Sequence, residues 1–315
     1  MRVLDIFCGG GGSSYGARSG GATIIGGIDL CGVATATFEY NFPGAVVKTS
    51  RLEKVSPKSL RDEIGDIDLL LASPECTNHT CAKGAAPRSE ESKATAMQAM
   101  RFAEAFKPRF VVLENVVHMR PWSRYGELLE GLQGLGYNLK EFVFDASDFG
   151  VGQKRRRLFI VGDKKGTPPD ISPPKRMKAP VVQDLLDRPG TWRTTPLFKD
   201  GRAEATLERA ARGFENVGLD TPFLLVYYGS DGSGGWQPID RPLRTITTVD
   251  RFALIEPSED GHRMRMLQVP ELKRAMGFKD DYELPVGSRR DKIRLLGNGV
   301  CPPVMQTIVK NLYAA

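Results

Sequence analysis

Ile67-Asp68-Leu69-Leu70-Leu71-Ala72-Ser73-Pro74-Glu75-Cys76 is a short apolar run that stops abruptly at Ser-Pro. Such a run reads as a strand buried on both faces, as in a parallel sheet. Open α/β sheets bind their ligands just beyond the carboxyl ends of the strands, which is where Cys76 falls. A thiol there can act as a nucleophile; the alternative reading is a small buried structural residue. The stretch that follows, Thr77 to Lys93, is polar and dotted with Gly, Pro and Ser, the composition of a mobile loop.

Two further segments end at the same sheet edge. Phe110-Val111-Val112-Leu113-Glu114-Asn115-Val116 is a second apolar strand that finishes in a carboxylate and an amide. Burying Glu114 is costly unless it is paired or protonated, so its position predicts a raised pKa suited to proton donation. Gly152-Gln153-Lys154-Arg155-Arg156-Arg157-Leu158-Phe159-Ile160-Val161-Gly162 leads a run of cations into a third strand. Alternation along extended chain puts Arg155 and Arg157 on one side and Lys154 and Arg156 on the other. With Gln153 beside them, these side chains suit anion or base-edge recognition.

The amino terminus supplies a cofactor argument. Arg2-Val3-Leu4-Asp5-Ile6-Phe7 reads as a strand, and Cys8-Gly9-Gly10-Gly11-Gly12-Ser13-Ser14 as a turn whose backbone can approach a ligand closely. That turn alone would serve NAD, FAD or S-adenosylmethionine. The next strand, Ala22 to Asp29, ends in an acid where a ribose hydroxyl partner is expected.

In order, these residues closely resemble the DNA (cytosine-5) methyltransferase family of bacterial or phage type. Asp5-Ile6-Phe7-Cys8-Gly9-Gly10-Gly11-Gly12 is similar to its cofactor motif and Pro74-Glu75-Cys76 to its Pro-Cys nucleophile motif. Glu114-Asn115-Val116 matches Glu-Asn-Val, and Gln153-Lys154-Arg155-Arg156-Arg157 matches Gln-x-Arg-x-Arg. Arg265-Met266-Leu267 through Glu271, Gly277-Phe278 and Gly297-Asn298-Gly299-Val300 resemble its late motifs. The chain departs from the pattern at Glu75, where proline is usual, at Thr77, where glutamine is usual, and near Ser50, where an acid is common.

The resemblance implies a Rossmann-like α/β fold of the S-adenosylmethionine-dependent methyltransferases, with a smaller target-recognition domain inserted before the C-terminal helix. It implies transfer of a methyl group from S-adenosyl-L-methionine to carbon 5 of a cytosine flipped out of double-stranded DNA, through a covalent Cys76 adduct. Glu114 would protonate ring N3, Arg157 would hold O2, Arg155 would order the thiolate and a neighbouring phosphate, and Asn115 would fix the strand-end loops. Asp5, Phe7, Cys8, Gly9, Gly10, Gly12, Asp29, Leu30, Ser50, Asn298 and Val300 would hold the cofactor. Glu75, Gln153 and Arg265 would contact the substrate, and the loop from Thr77 to Ser92 would close as a lid. A transfer-RNA cytosine methyltransferase of the same fold would share this set, but that branch carries a Cys-Phe-Thr signature absent here. A nucleotide-dependent dehydrogenase would explain only the first 30 residues or so, and a non-catalytic DNA-binding relative predicts loss of the cysteine or the glutamate.

Composition is compatible with this. The 315 residues carry a formal net charge of +6, which suits a nucleic-acid partner. The 3 histidines lack metal-like spacing, and the 5 cysteines form no C-x-x-C pair, so reduced thiols and no metal are expected. No apolar run is long enough to span a membrane, and a strand begins almost at residue 1, so no signal peptide and a place in the cytoplasm or nucleoid are expected; a monomer is expected as well. The composition becomes Pro- and Lys-rich from Gly166 to Pro180, a linker signature; together with the resemblance this implies a catalytic domain over 1–167, completed by 285–315, and a target-recognition domain over 168–284. Within the latter, Val181–Leu186 reads as helix and Phe223–Tyr228 and Arg244–Val249 as strands, with Arg241, Arg244 and Arg251 available for phosphates or guanines.

Overall fold

The computed structural model describes residues 1–74, 95–228, 232 and 234–315. The chain first alternates β1 (Arg2–Ile6), α1 (Gly12–Ser19), β2 (Thr23–Asp29), α2 (Gly32–Asn41), β3 (Val46–Thr49), α3 (Pro57–Ile64) and β4 (Leu69–Ala72). It continues through α4 (Gln98–Phe106), β5 (Phe110–Asn115), α5 (Tyr125–Gly134), β6 (Asn138–Asp145) and β7 (Arg156–Asp163). These strands form a seven-stranded sheet in the order β3-β2-β1-β4-β5-β7-β6. Neighbours from β3 to β5 are parallel, and β7 runs antiparallel to both β5 and β6. The reversal of β7 brings its first residues, Arg156 and Arg157, to the edge where β5 ends.

The central strands are buried on both faces, as their unbroken apolar runs require. Along β4, Leu69 and Leu71 enter one core cluster and Leu70 and Ala72 the other; β5 alternates in the same way. One face packs α3, α4 and α5; the other packs α1 with the last helix, α10 (Pro302–Tyr313). α10 thus lies along α1 beside β1. The two helices meet at Gly16, where an added Cβ would stand 2.4 Å from the Pro302 carbonyl oxygen.

A second, five-stranded antiparallel sheet has the order β10-β9-β11-β12-β8. Its strands are β8 (Thr195–Pro196), β9 (Phe223–Val226), β10 (Trp236–Pro238), β11 (Phe252–Ser258) and β12 (Gly261–Met266). α6 (Val182–Leu185) precedes it, and α7 (Glu204–Val217) covers one face through Leu207, Ala210 and Phe214. Phe223 and Leu225 point to that face, while Leu224 and Val226 join the main core. The sheet lies within 168–284, yet Phe278 and Tyr282 from the end of that span pack their rings on Tyr15 of α1. Arg244–Val249 is not a strand. Its polar groups are bonded elsewhere: Ile246 N–H donates to the Gln153 side chain, and the Thr245 hydroxyl donates to the Lys154 carbonyl. α8 (Val269–Ala275) and α9 (Arg289–Asn298) return the chain to the first sheet. Among the described residues no helix is long and apolar enough to cross a membrane.

Asp5 is corrected by this arrangement. It sits in β1 beneath the glycine turn with no exposed surface, accepting a 2.7 Å hydrogen bond from the Ser14 hydroxyl, and it does not line the cavity described below. It supports the turn from behind. Burial pushes its carboxyl up to about 7, with Asp29 adding to the rise and Ser14 opposing it.

Gly16→Ala should separate α1 from α10 and destabilise the protein by about 1–3 kcal/mol, read as a Tm several degrees lower in calorimetry. An unchanged Tm would refute the close approach. For Asp5, an unfolded aspartate titrates near pH ~3.9. Below that the carboxyl is protonated in both states and its contribution is intact. As pH rises toward 7 the unfolded chain ionises first, so stability is lost, by at most about 4 kcal/mol (roughly 1.4 kcal/mol per pH unit). Asp5→Asn should therefore gain Tm relative to the wild type as pH is raised from 4 to 8; parallel Tm curves would contradict this.

Candidate active site

A cavity of about 1000 Å³ opens at the carboxyl ends of β1, β2, β3, β4 and β5. Phe7, Cys8, Gly9, Asp29, Leu30, Ser50, Pro74, Glu114, Arg157, Asn298 and Val300 all line it. The first end is built by the turn after β1. Phe7 is held at φ 60, a conformation unusual for a bulky residue that sharply redirects the chain. Gly9 follows at φ 51, and a Cβ there would stand in open space. The Gly9 N–H donates to Asp29 Oδ2 at 2.9 Å, and the Cys31 N–H donates to Asp29 Oδ1 at 2.8 Å. Burial raises the Asp29 carboxyl from its ordinary value, and these backbone donors lower it. Each oxygen retains acceptor capacity for a ligand. Next to it Leu30 is 59% exposed, an apolar face turned to the cavity.

At the other end stands Glu114, 6% exposed at the tip of β5, with Arg157 Nε 3.1 Å from Oε1. Burial raises the Glu114 carboxyl, while Arg157 and then Arg155 pull it down. The strand reversal thus places a desolvated carboxyl against a guanidinium at one cavity wall. Asn115 faces inward: Nδ2 donates to the Pro74 carbonyl at 3.2 Å and Oδ1 accepts from the Val116 N–H, which ties the end of β4 to the end of β5.

Several expected contacts are corrected. Gln153 has no exposed surface, and its amide holds Ile246 N–H and the Ala275 carbonyl rather than a base. Arg155 is 2% exposed and grips the carbonyls of Ile246 and Gly297, so it is not offered to a phosphate. Arg265 is 7% exposed and forms a two-pronged pair with Glu271 at 2.7 and 2.8 Å, closed off from substrate. Gly10 faces Leu295 and is not part of the cavity wall. The Ser50 hydroxyl lines the cavity but donates to its neighbour, the Arg51 carbonyl. Arg251 folds back onto the Tyr227 carbonyl, whereas Arg241 is well exposed. Glu75, Cys76 and Thr77, with the expected lid, lie outside the described residues.

The cavity also takes Ser13, Arg51, Glu53, Lys54, Ser73, Thr95, Gln98, Arg294 and Leu295, which sequence reasoning did not select. Arg294 and Leu295 had a readable signal. They precede Asn298 by four and three residues and therefore share its face of α9. Among the described residues no cluster of metal-ligating side chains occurs.

The family model for C-5 cytosine-specific DNA methylase matches residues 1–314. Type II methyltransferase M.AgeI of Thalassovita gelatinovora is 31% identical over 301 residues, covering 92% of this chain; the chain spans 66% of that relative's length, a little under two thirds. Type II methyltransferase M.HgiDI of Herpetosiphon aurantiacus is 28% identical over 309 residues, 95% of this chain and 90% of the relative. The solved structure of a Spodoptera frugiperda DNMT2 variant superposes with a TM-score of 0.74 at 15% identity, covering 99% of both chains, a likeness of fold. The chain belongs to the C-5 cytosine-specific DNA methylase family.

Proposed function

We propose that the protein transfers a methyl group from S-adenosyl-L-methionine to carbon 5 of a cytosine in double-stranded DNA. The Glu114–Arg157 pair carries this reading: a desolvated carboxyl and a guanidinium stand in one wall of the cavity whose other end holds Asp29, Gly9 and Leu30. The cavity suits the donor. Asp29 can accept from ribose hydroxyls, the exposed face of Leu30 suits a purine ring, and the open space at Gly9 admits close approach of the backbone. When bound, S-adenosyl-L-methionine supplies an electrophilic methyl group, with C5 of the base as its acceptor.

The chain's own residues have to make that carbon reactive, because C5 of an aromatic cytosine is a poor nucleophile. Cys76, two positions along the chain from Pro74 in the cavity wall, would add as a thiolate to C6. Glu114 would give its proton to N3, so that the ring electrons collect at C5 as an enamine. Burial favours the protonated carboxyl that this step needs, and Arg157 and Arg155 oppose it. A base seated against Arg157 would draw the guanidinium to its O2 and away from Glu114. Once C5 carries the methyl group, its hydrogen leaves as a proton to solvent water, the C5–H electron pair forms the C5–C6 double bond, and the sulfur departs with the C6–S electron pair. The N3 proton returns to Glu114, and the aromatic ring is restored.

This chemistry is out of reach inside a duplex, so the base would be flipped out at a cost of roughly a few kcal/mol. The net charge of +6 supports a polyanionic substrate. One chain supplies every group invoked, which supports a monomer acting where the DNA is, in the cytoplasm or nucleoid.

Radiolabelled S-adenosylmethionine offered with duplex DNA, with RNA and without nucleic acid should label only the DNA; label in RNA alone would transfer the reading to an RNA substrate. Glu114→Gln should bind donor and DNA normally and turn over about 10²–10⁴-fold more slowly, and near-normal methylation would remove Glu114 from its role. DNA containing 5-fluorocytosine blocks the last elimination. It should trap the wild type and Cys81→Ser covalently and leave Cys76→Ser free; trapping of Cys76→Ser would falsify the nucleophile assignment.

A further inference from the structure

The ribbon 243–247 connects the second sheet to the cavity. On one side, the Leu243 N–H donates to the Gly152 carbonyl and the Lys154 N–H donates to the Leu243 carbonyl, both at 2.8 Å. On another, the Tyr228 hydroxyl, just past β9, donates to the Thr245 carbonyl at 2.7 Å. On the third it meets the end of α9 so closely that a Cβ on Gly297 would lie 2.2 Å from the Thr247 carbonyl oxygen. Gly297 immediately precedes Asn298, which lines the cavity with Gly299 and Val300.

Arg155 joins these parts. Nη1 donates to the Ile246 carbonyl at 3.0 Å and Nη2 to the Gly297 carbonyl at 2.7 Å, from a guanidinium that is 2% exposed. Gly297 lies in the last turn of α9, where the unsatisfied carbonyls and the helix dipole favour a cation. Gln153 supports the grip by accepting from the Ile246 N–H at 3.0 Å. Burying a permanently charged guanidinium is expensive. A neutral donor could satisfy one carbonyl, but the planar fork of arginine spans two segments at once.

We propose that Arg155 is a positioning residue that couples the cavity wall at Asn298–Val300 to the ribbon 243–247, so that donor binding pre-sets the orientation of the second sheet toward DNA. The inference rests on the donor site proposed above. The coupling runs through main-chain carbonyls, so the side chain of Ile246 need not touch either ligand. It predicts reciprocity, because two binding sites that share an element affect each other equally.

Hydrogen exchange with S-adenosyl-L-homocysteine as probe tests this on the whole protein. In the wild type, saturating probe should slow amide exchange at the cavity wall near residues 297–300 and also across 243–247, the latter by roughly five- to tenfold. In Arg155→Lys, which keeps the charge but offers no fork, protection should remain at the wall and be lost from the ribbon. Gln153→Met, which releases the Ile246 N–H and the Ala275 carbonyl but leaves the Arg155 fork in place, should lose part of it. The steady-state counterpart is a raised KM for DNA. A variant that was only less stable would lower Tm and leave the spread of protection intact. Wild-type protection confined to the wall, or an undiminished spread in folded Arg155→Lys, overturns the proposal alone. No protection anywhere in the wild type overturns the donor site and this proposal together.

Discussion

Burial of the central strands on both faces is the constraint from which the rest follows. β1, β4 and β5 sit between two helical layers, so along their length almost every side chain has to be apolar. Polar chemistry is confined to the strand ends, where chain direction changes and backbone groups become free to bond side chains. Asp29 and Glu114 lie at the ends of parallel strands separated by β1 and β4. The width of those strands keeps one end of the cavity apart from the other. Arg157 reaches Glu114 because β7 enters the sheet backwards and starts where β5 stops.

Desolvation then acts on each charged group according to its partners. Glu114 loses water and meets guanidinium, so its carboxyl is raised by burial and restrained by Arg157 and Arg155. Asp29 loses water and meets backbone N–H groups, which hold it in place while leaving acceptor capacity toward the cavity. Asp5 loses water and meets little more than the Ser14 hydroxyl, and burial pushes its carboxyl up to about 7 beneath the turn. The same chemical group, placed three ways, faces a guanidinium, backbone N–H groups or a single hydroxyl.

Much of the architecture was legible. The apolar runs 67–72 and 110–115 and the glycine turn after Phe7 announced a doubly covered sheet, and the structure has a cavity at its strand ends. The helix over 204–217 was not singled out: Leu207, Ala210, Phe214 and Val217 stand at helical spacing, but small residues between charged ones weaken the stripe. The β11–β12 hairpin carried an Asp260-Gly261 turn signal between strands of mixed polarity. Arg244–Val249 misled because its Thr and Ile content suits a strand, whereas its hydrogen-bonding groups are taken by Gln153, Lys154 and Arg155.

By itself the sequence determined which side chains stand at strand ends, because period-two alternation and abrupt boundaries are properties of the chain alone. It also determined that Arg155 and Arg157 share a side. Only the tertiary structure decided what each then meets. Arg157 faces a carboxyl in the cavity wall, while Arg155, two residues earlier, is sealed under the ribbon 243–247 and the end of α9. Gln153 and Arg265 are sealed in the same way. Their partners are main-chain groups or a carboxylate brought in from elsewhere in the fold, and a residue's type carries no record of which distant carbonyl will be left unpaired beside it.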